Sequence, residues 1–207
     1  MYIPAHFAED DETVLYSFMQ EHPFATLVTN APEGPIATHL PIDVDPRNEA
    51  GHGRIMGHVA RANPHWQKFQ SDENALLIFH GPHDYISPAW YKSDNLVPTW
   101  NYAAVHAYGR LVLIDNPMDV RALLDRLVQR FESERPDPWI NSLEGDFMNQ
   151  LQAAIVAFEF RIDHLEGKFK LSQNRMLADQ LASLAGLEQE GGDASLAALT
   201  RKRLDKK

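Results

Sequence analysis

The sequence predicts a mostly β protein, an antiparallel barrel with peripheral α-helices. Two observations carry this. About six or seven β-prone runs come in neighbouring, hairpin-like pairs, and the regular strand–helix alternation that a parallel sheet requires is missing. A third sets the scale: 207 residues with 44% apolar content are about what one hydrophobic core fills, so a second complete domain is not expected.

Taken in order, residues 11–22 place Val14, Leu15, Phe18 and Met19 at helical spacing behind acidic residues, which predicts a short amphipathic helix. Residues 24–29 and 35–44 are β-prone and flank a turn ending in Gly34, which predicts a hairpin. Residues 45–53, rich in Asp, Pro, Asn and Gly, read as a loop, and 54–59 as a strand. Asn63 caps and Pro64 opens a short helix running to Gln70. Residues 75–80 form an apolar strand, broken by Gly81 and Pro82 before a second extended run at 84–87. Residues 88–98 are irregular, 100–114 extended, and Asp115, Asn116 and Pro117 signal a helix over 118–132. A helix over 143–152, an alternating strand over 153–162, a helix over 177–187 and a weakly apolar final helix complete the chain. Residues 1–187 are thus expected to form the barrel with its decorating helices, and 188–207 a C-terminal helix and basic tail.

The formal net charge of −10 disfavours a broad footprint on DNA, because nonspecific affinity comes mainly from Lys and Arg neutralising phosphates. The basic residues Arg201, Lys202, Arg203, Lys206 and Lys207 form a short tail on an acidic body. With no cysteine, disulfides, thiolate nucleophiles and iron–sulfur clusters are excluded, so any redox chemistry has to come from a bound cofactor. No stretch approaches the roughly 18 apolar residues of a membrane span, and the first residues resemble no signal peptide; a cytoplasmic protein without a membrane partner is expected. The ten histidines show no metal-ligand spacing, so no metal site is expected.

Four segments carry candidate chemistry. In the string GHVARANP at 57–64 a strand ends, His58 and Arg61 offer charge-assisted hydrogen bonds, and a helix begins; this suits a phosphate, the alternative being a surface arginine beside a capped helix. In THLP at 38–41, Pro41 leaves backbone groups unpaired that can meet the edge of a planar ring, unless His39 is simply a barrel histidine. Between 81 and 106, Trp90, Trp100, Tyr85, Tyr91 and Tyr102 cluster around prolines, which suits stacking on an aromatic cofactor, a dimer seam or a plain aromatic core. Thr99 and Asn101 add neutral hydrogen bonds. The string GKFKLSQNR at 167–175 is the densest basic segment outside the tail, and reads as an anion site or as a solvated loop capped by Ser172.

Together with MYIPAHF at 1–7, GPHDYISP at 81–88 and VPTWNY at 97–102, these strings run in order through about 175 residues and resemble the PaiB-type family, FMN-binding negative transcriptional regulators related to pyridoxamine-phosphate oxidase. The resemblance implies a split β-barrel homodimer with flavin mononucleotide (FMN) at the subunit interface. It implies that Ala37, Thr38, His39, Leu40 and Pro41 face the flavin ring while His58, Arg61 and Asn63 hold the phosphate. Trp100 and Asn101, or Lys168, Lys170 and Gln173, would come from the partner subunit. DNA or a regulatory protein would be a further partner. No residue identifies itself as a catalytic acid or base. Two other readings stay open: an FMN-dependent oxidoreductase acting on a small molecule without contacting DNA, and a haem-binding split barrel.

Overall fold

A computed structural model describes residues 1–45, 53–69 and 74–205. The interior of the loop expected at 45–53, the helix end expected at Gln70, and Lys206 and Lys207 lie outside the described residues. The strands are β1 (Ala8–Glu9), β2 (Phe24–Thr29), β3 (Ile36–Asp45), β4 (Arg54–Ala60), β5 (Ala75–Ile86), β6 (Thr99–Ile114) and β7 (Ile155–Lys170). They hydrogen-bond in the order β1-β7-β4-β3-β2-β5-β6, and a further β7–β6 pairing closes the ring. The ladders β1–β7, β2–β3, β2–β5, β3–β4 and β4–β7 are antiparallel. The helices are α1 (Glu12–Glu21), α2 (Pro117–Glu132), α3 (Gly145–Ala153), α4 (Leu177–Gln189) and α5 (Ala194–Leu204). This is the split-barrel architecture, mostly antiparallel sheet with helices at its periphery.

The chain divides into two compact units: a hairpin unit of Tyr16–Phe79 and His106–Leu165, and a terminal unit of Met1–Leu15, His80–Val105 and Glu166–Lys207. In the hairpin unit, β2 alternates as its sequence demands, turning Ala25, Leu27 and Thr29 inward. Leu27, Ile42, Ile55, Leu77, Phe79, Phe158 and Phe160 are fully buried there. Helix α2 starts where Asn116 accepts the Met118 amide at 2.9 Å and Pro117 occupies the first turn. Its Val120, Leu123 and Leu127 pack on Met56 and Ala157. Burying each of the three contributes about 1.5–3 kcal/mol. Arg126 ties the same helix to Asp43 of β3 at 2.8 Å.

In the terminal unit, the carboxylate of Asp179 on α4 accepts the Lys92 and Ser93 amides at 2.7 and 3.0 Å and the Ser93 hydroxyl at 2.8 Å. The Ser93 hydroxyl and these amides hold its carboxyl below the usual range. Asp193 caps α5 by accepting the Ser195 and Leu196 amides. Two arginines of the basic tail are engaged: Arg201 pairs with Glu188, and Arg203 with Glu9 at 3.0 Å.

Two elements differ from the sequence expectation. The Gly81-Pro82 pair does not break β5, which runs unbroken from Ala75 to Ile86. Proline is tolerated in a strand wherever its missing N–H falls outside the ladder. Strand β7 continues beyond residue 162 to Lys170, taking Lys168 and Lys170 into the sheet. Its extension is held by β1, through the pairs Ala8↔Lys168 and Glu9↔Gly167, a partner more than 150 residues away and only two residues long.

Candidate functional site

Hairpin β2–β3 presents two faces. The register Phe24↔Pro41, Thr26↔His39 and Val28↔Ala37 places these six residues on the face opposite the core. Phe24 is 67% exposed, and its ring lies 6.4 Å from that of His39 at a shallow 21°. The Thr26 hydroxyl and His39 Nδ1 share a hydrogen bond of 2.9 Å. The pairs Thr26↔Ile78 and Val28↔Leu76 extend this largely apolar strip onto β5.

On the other side, Thr38 belongs to a buried polar chain. Its hydroxyl meets His65 Nδ1 at 2.7 Å and accepts from the Asn63 amide at 3.2 Å, while His65 Nε2 meets the Thr29 hydroxyl at 2.8 Å. The His65 amide donates to Asn63 Oδ1 at 3.0 Å, so Asn63 caps the short 3-10 helix Pro64–Lys68 as its sequence predicts. Leu40 follows Thr38 on this face of β3 and is buried, while Pro41 lies on the other face.

His65 and Thr29 were not among the expected site residues. The signal for Thr29 was its period-2 position in line with Ala25 and Leu27, where a hydroxyl facing the core needs a partner. His65, at the second position of a capped helix, carried no comparable signal.

Burial holds the His65 imidazole below its ordinary pKa, as it does that of His58. It does the same for His80, where the charge of His83 adds to the effect. Such groups are neutral when folded and protonate more readily when unfolded, so stability falls as pH drops below about 6.5. Urea midpoints should therefore decline between pH 7.5 and 5.5. His65→Gln should decline less over that range, and lose about 1–3 kcal/mol at pH 7.5 by leaving a threonine hydroxyl unpaired. Equal slopes for the two proteins would remove His65 from this account.

The expected phosphate ligands lie on and after β4. His58 pairs with Ala157 of β7 and turns Nδ1 into the protein, where no described group meets it. Arg61 clasps the end of α3: its Nε donates to the Ala153 carbonyl at 2.6 Å, one terminal nitrogen donates to the Ile155 carbonyl at 2.8 Å, and its amide donates to Ala154. A cation at a helix C-terminus is favoured by the helix dipole. The guanidinium also lies 5.8 Å from the Trp66 ring, whose indole N–H donates to the Arg61 carbonyl. Arg61 and Trp66 line a cavity of about 350 Å³ together with Ile114, Asn149, Gln152 and Ile155. The second terminal nitrogen of Arg61 has no partner among the described residues.

The residues expected from the partner subunit fall in the terminal unit. Trp100 is 55% exposed, its ring 6.2 Å from Tyr85 and 6.3 Å from His83. Asn101 is buried, and its amide donates to the Ser172 hydroxyl at 2.9 Å. Gln173 accepts the Leu171 amide at 2.6 Å and donates to the Phe169 carbonyl. Lys168 donates to the Tyr2 carbonyl at 3.0 Å; Lys170 donates to the Thr99 hydroxyl and the Trp100 carbonyl. The described residues contain no group of three or more His, Asp or Glu side chains placed to hold a metal.

Comparison with known proteins gives this arrangement a family. The family described as "Putative FMN-binding domain" matches residues 1–164. The "Protease synthase and sporulation protein PAI 2" of Bacillus subtilis is 36% identical over 191 residues, 92% of this chain and 90% of that protein. An FAD and haem binding protein from Mycobacterium smegmatis shares the fold, with a TM-score of 0.59 at 17% identity over 79% of this chain and 73% of that one. The flavocytochrome Anf3 from Azotobacter vinelandii gives 0.59 at 15% identity, over 81% and 72%. The chain belongs to the FMN-binding domain family, in its PaiB-type branch of split-barrel proteins, and FMN is its cofactor.

Proposed function

We propose that this chain is a homodimeric regulatory flavoprotein in which Ala37 to Pro41 border the flavin ring and His58, Arg61 and Asn63 receive the phosphate. The observation that carries this is the donor set. It offers one guanidinium nitrogen on Arg61 with no partner among the described residues, two positions before Asn63, whose amide donates to Thr38; Asp115 is the one carboxylate that lines the same cavity. When bound, FMN supplies reversible hydride and electron transfer at its ring. This chain's own residues orient it and set its electrostatics. The strip of exposed Phe24, Ala37 and His39 with half-buried Thr26, Val28 and Pro41 supports the dimer, since a largely apolar sheet face of this kind marks an interaction surface. Trp100 of a second copy, with Asn101, Lys168, Lys170 and Gln173 around it, completes the site in this reading, Asn101 and Gln173 by shaping the backbone.

Direct DNA contact has less support. The net charge is −10, and Arg201 and Arg203 of the basic tail are paired with Glu188 and Glu9. The regulatory output is therefore assigned to a protein partner or to the flavin's redox state. The test is the absorbance spectrum of the purified protein, sedimentation equilibrium, and anaerobic addition of NADH and NADPH. A yellow dimer of twice the chain mass whose flavin resists both nicotinamides is expected. A colourless protein that takes up no added FMN overturns the flavin assignment. Rapid bleaching overturns the regulatory reading in favour of an oxidoreductase.

A further inference from the structure

The acidic surplus of this chain makes its unpaired cations conspicuous. With 29 acidic residues against 19 basic ones, most arginines in the fold have found a carboxylate: Arg54 with Glu159, Arg110 with Asp163, Arg121 with Asp125, Arg126 with Asp43, Arg201 with Glu188 and Arg203 with Glu9. Lys168, Lys170 and Arg175 of the terminal unit are different. Among the described residues, no carboxylate lies within ion-pair distance of any of the three.

Lys168 is only 9% exposed, yet its ammonium meets only a neutral carbonyl and the faces of Tyr2 and Tyr102, at 5.6 and 5.3 Å. Lys170 meets a hydroxyl and a carbonyl. Arg175 lies over Tyr91, 5.7 Å from the ring, and Asp179, which feels its charge, gives its oxygens to Lys92 and Ser93 instead. Burying the Lys168 charge without a counterion is costly, and the half-buried charges of Lys170 and Arg175 beside it add repulsion. The strain is visible in Lys170, whose pKa is lowered by burial and then by the charges of Lys168 and Arg175. An independent observation points the same way. The Tyr91 hydroxyl is buried with no hydrogen-bond partner, a donor left over beside the same arginine.

We infer that Lys168, Lys170, Arg175 and Tyr91 form an oxyanion site for a second small molecule carrying a phosphate or carboxylate, separate from the residues that receive the flavin's phosphate. FMN has one phosphate group, and the reading above assigns it to Arg61; the inference rests on that assignment. A bound oxyanion neutralises the cluster and gives the Tyr91 hydroxyl an acceptor. The neutral groups between these cations, Thr99, Asn101 and Ser172, fix the backbone that carries them: Ser172 adopts a left-handed φ of 66°, and its hydroxyl is bonded to Asn101.

The test is calorimetric titration of FMN-saturated protein with inorganic phosphate in a phosphate-free buffer, alongside FMN titration of the flavin-free protein read by fluorescence. One phosphate per chain is expected. Lys170→Met and Arg175→Met should each weaken it by about tenfold or more, as befits loss of a charge-assisted contact, while Lys170→Arg retains it. FMN affinity should change less than about threefold in Arg175→Met, which the flavin reading does not use. Circular dichroism melting shows whether each variant is folded, and Arg175→Met, at a half-buried position, serves where Lys170→Met is not. If FMN-saturated protein takes up no phosphate, and Arg175→Met instead weakens FMN as much as Arg61→Ala does, the cluster belongs to the flavin and the inference is overturned with the flavin reading intact. If the protein binds no FMN, that reading fails, and the phosphate titration of the same protein still decides the cluster.

Discussion

A Gly109→Ala variant is expected to lose about 3 kcal/mol of stability or more, the upper range for overpacking a sheet core. Gly109 is buried in β6, where a Cβ atom would fall far inside van der Waals contact of the Arg161 carbonyl oxygen and 2.7 Å from a carbon of the Phe160 ring. The oxygen belongs to the backbone of β7, so no rotamer change relieves the clash. Only separation of the two strands would, and β7–β6 pairing is what closes the sheet. Gly145→Ala is the contrasting case. Nothing lies within 4 Å of its Cβ, but φ is +62°, so it should cost only the roughly 1–2 kcal/mol of left-handed backbone. Urea unfolding of both variants checks the pair; a Gly109→Ala midpoint no lower than that of Gly145→Ala would show that the strands separate cheaply.

Arg61→Ala is expected to weaken FMN binding by about 1.5–3 kcal/mol, the loss of one hydrogen bond from a charged group to the phosphate. The structure adds a second effect. Because Arg61 also holds the Ala153 and Ile155 carbonyls, its removal releases the junction of α3 and β7. The stability loss should be smaller, about 1 kcal/mol, since these groups are exposed and water replaces the guanidinium. Arg61→Lys separates the two roles. A lysine keeps the positive charge but not the planar fork, so FMN affinity should recover in part while the α3 clasp does not. Fluorescence titration of FMN reads the first, and urea unfolding the second. Unchanged FMN affinity in Arg61→Ala would reassign that residue to structure alone.

Much of this was legible before any coordinates. The hairpin of β2 and β3 followed from alternation and the Gly34 turn, α2 from Asn116 and Pro117, and the start of the 3-10 helix from Asn63 and Pro64, because each signal is local. The order of the motif strings carried the family and its cofactor. Less legible were features whose cause lies far along the chain. Gly81 and Pro82 look like a break when only local propensity is weighed, yet β5 runs through them to Ile86. The run of β7 to Lys170 depends on Ala8 and Glu9, whose two-residue strand has no pattern of its own. Thr29 and His65 are 36 residues apart, and only the fold shows that the two ends of one imidazole need two hydroxyls.

By itself, then, the sequence determined the element types, the absence of thiol chemistry, the family and its flavin, since composition, periodicity and short motifs are properties of neighbouring residues. Only the tertiary structure decided which charges are compensated. It gave Arg201 and Arg203 to glutamates and Arg61 to the end of a helix, and left Lys168 buried among neutral groups. Ion pairing is settled by which side chains the packed backbone brings within about 4 Å, and no linear spacing encodes that.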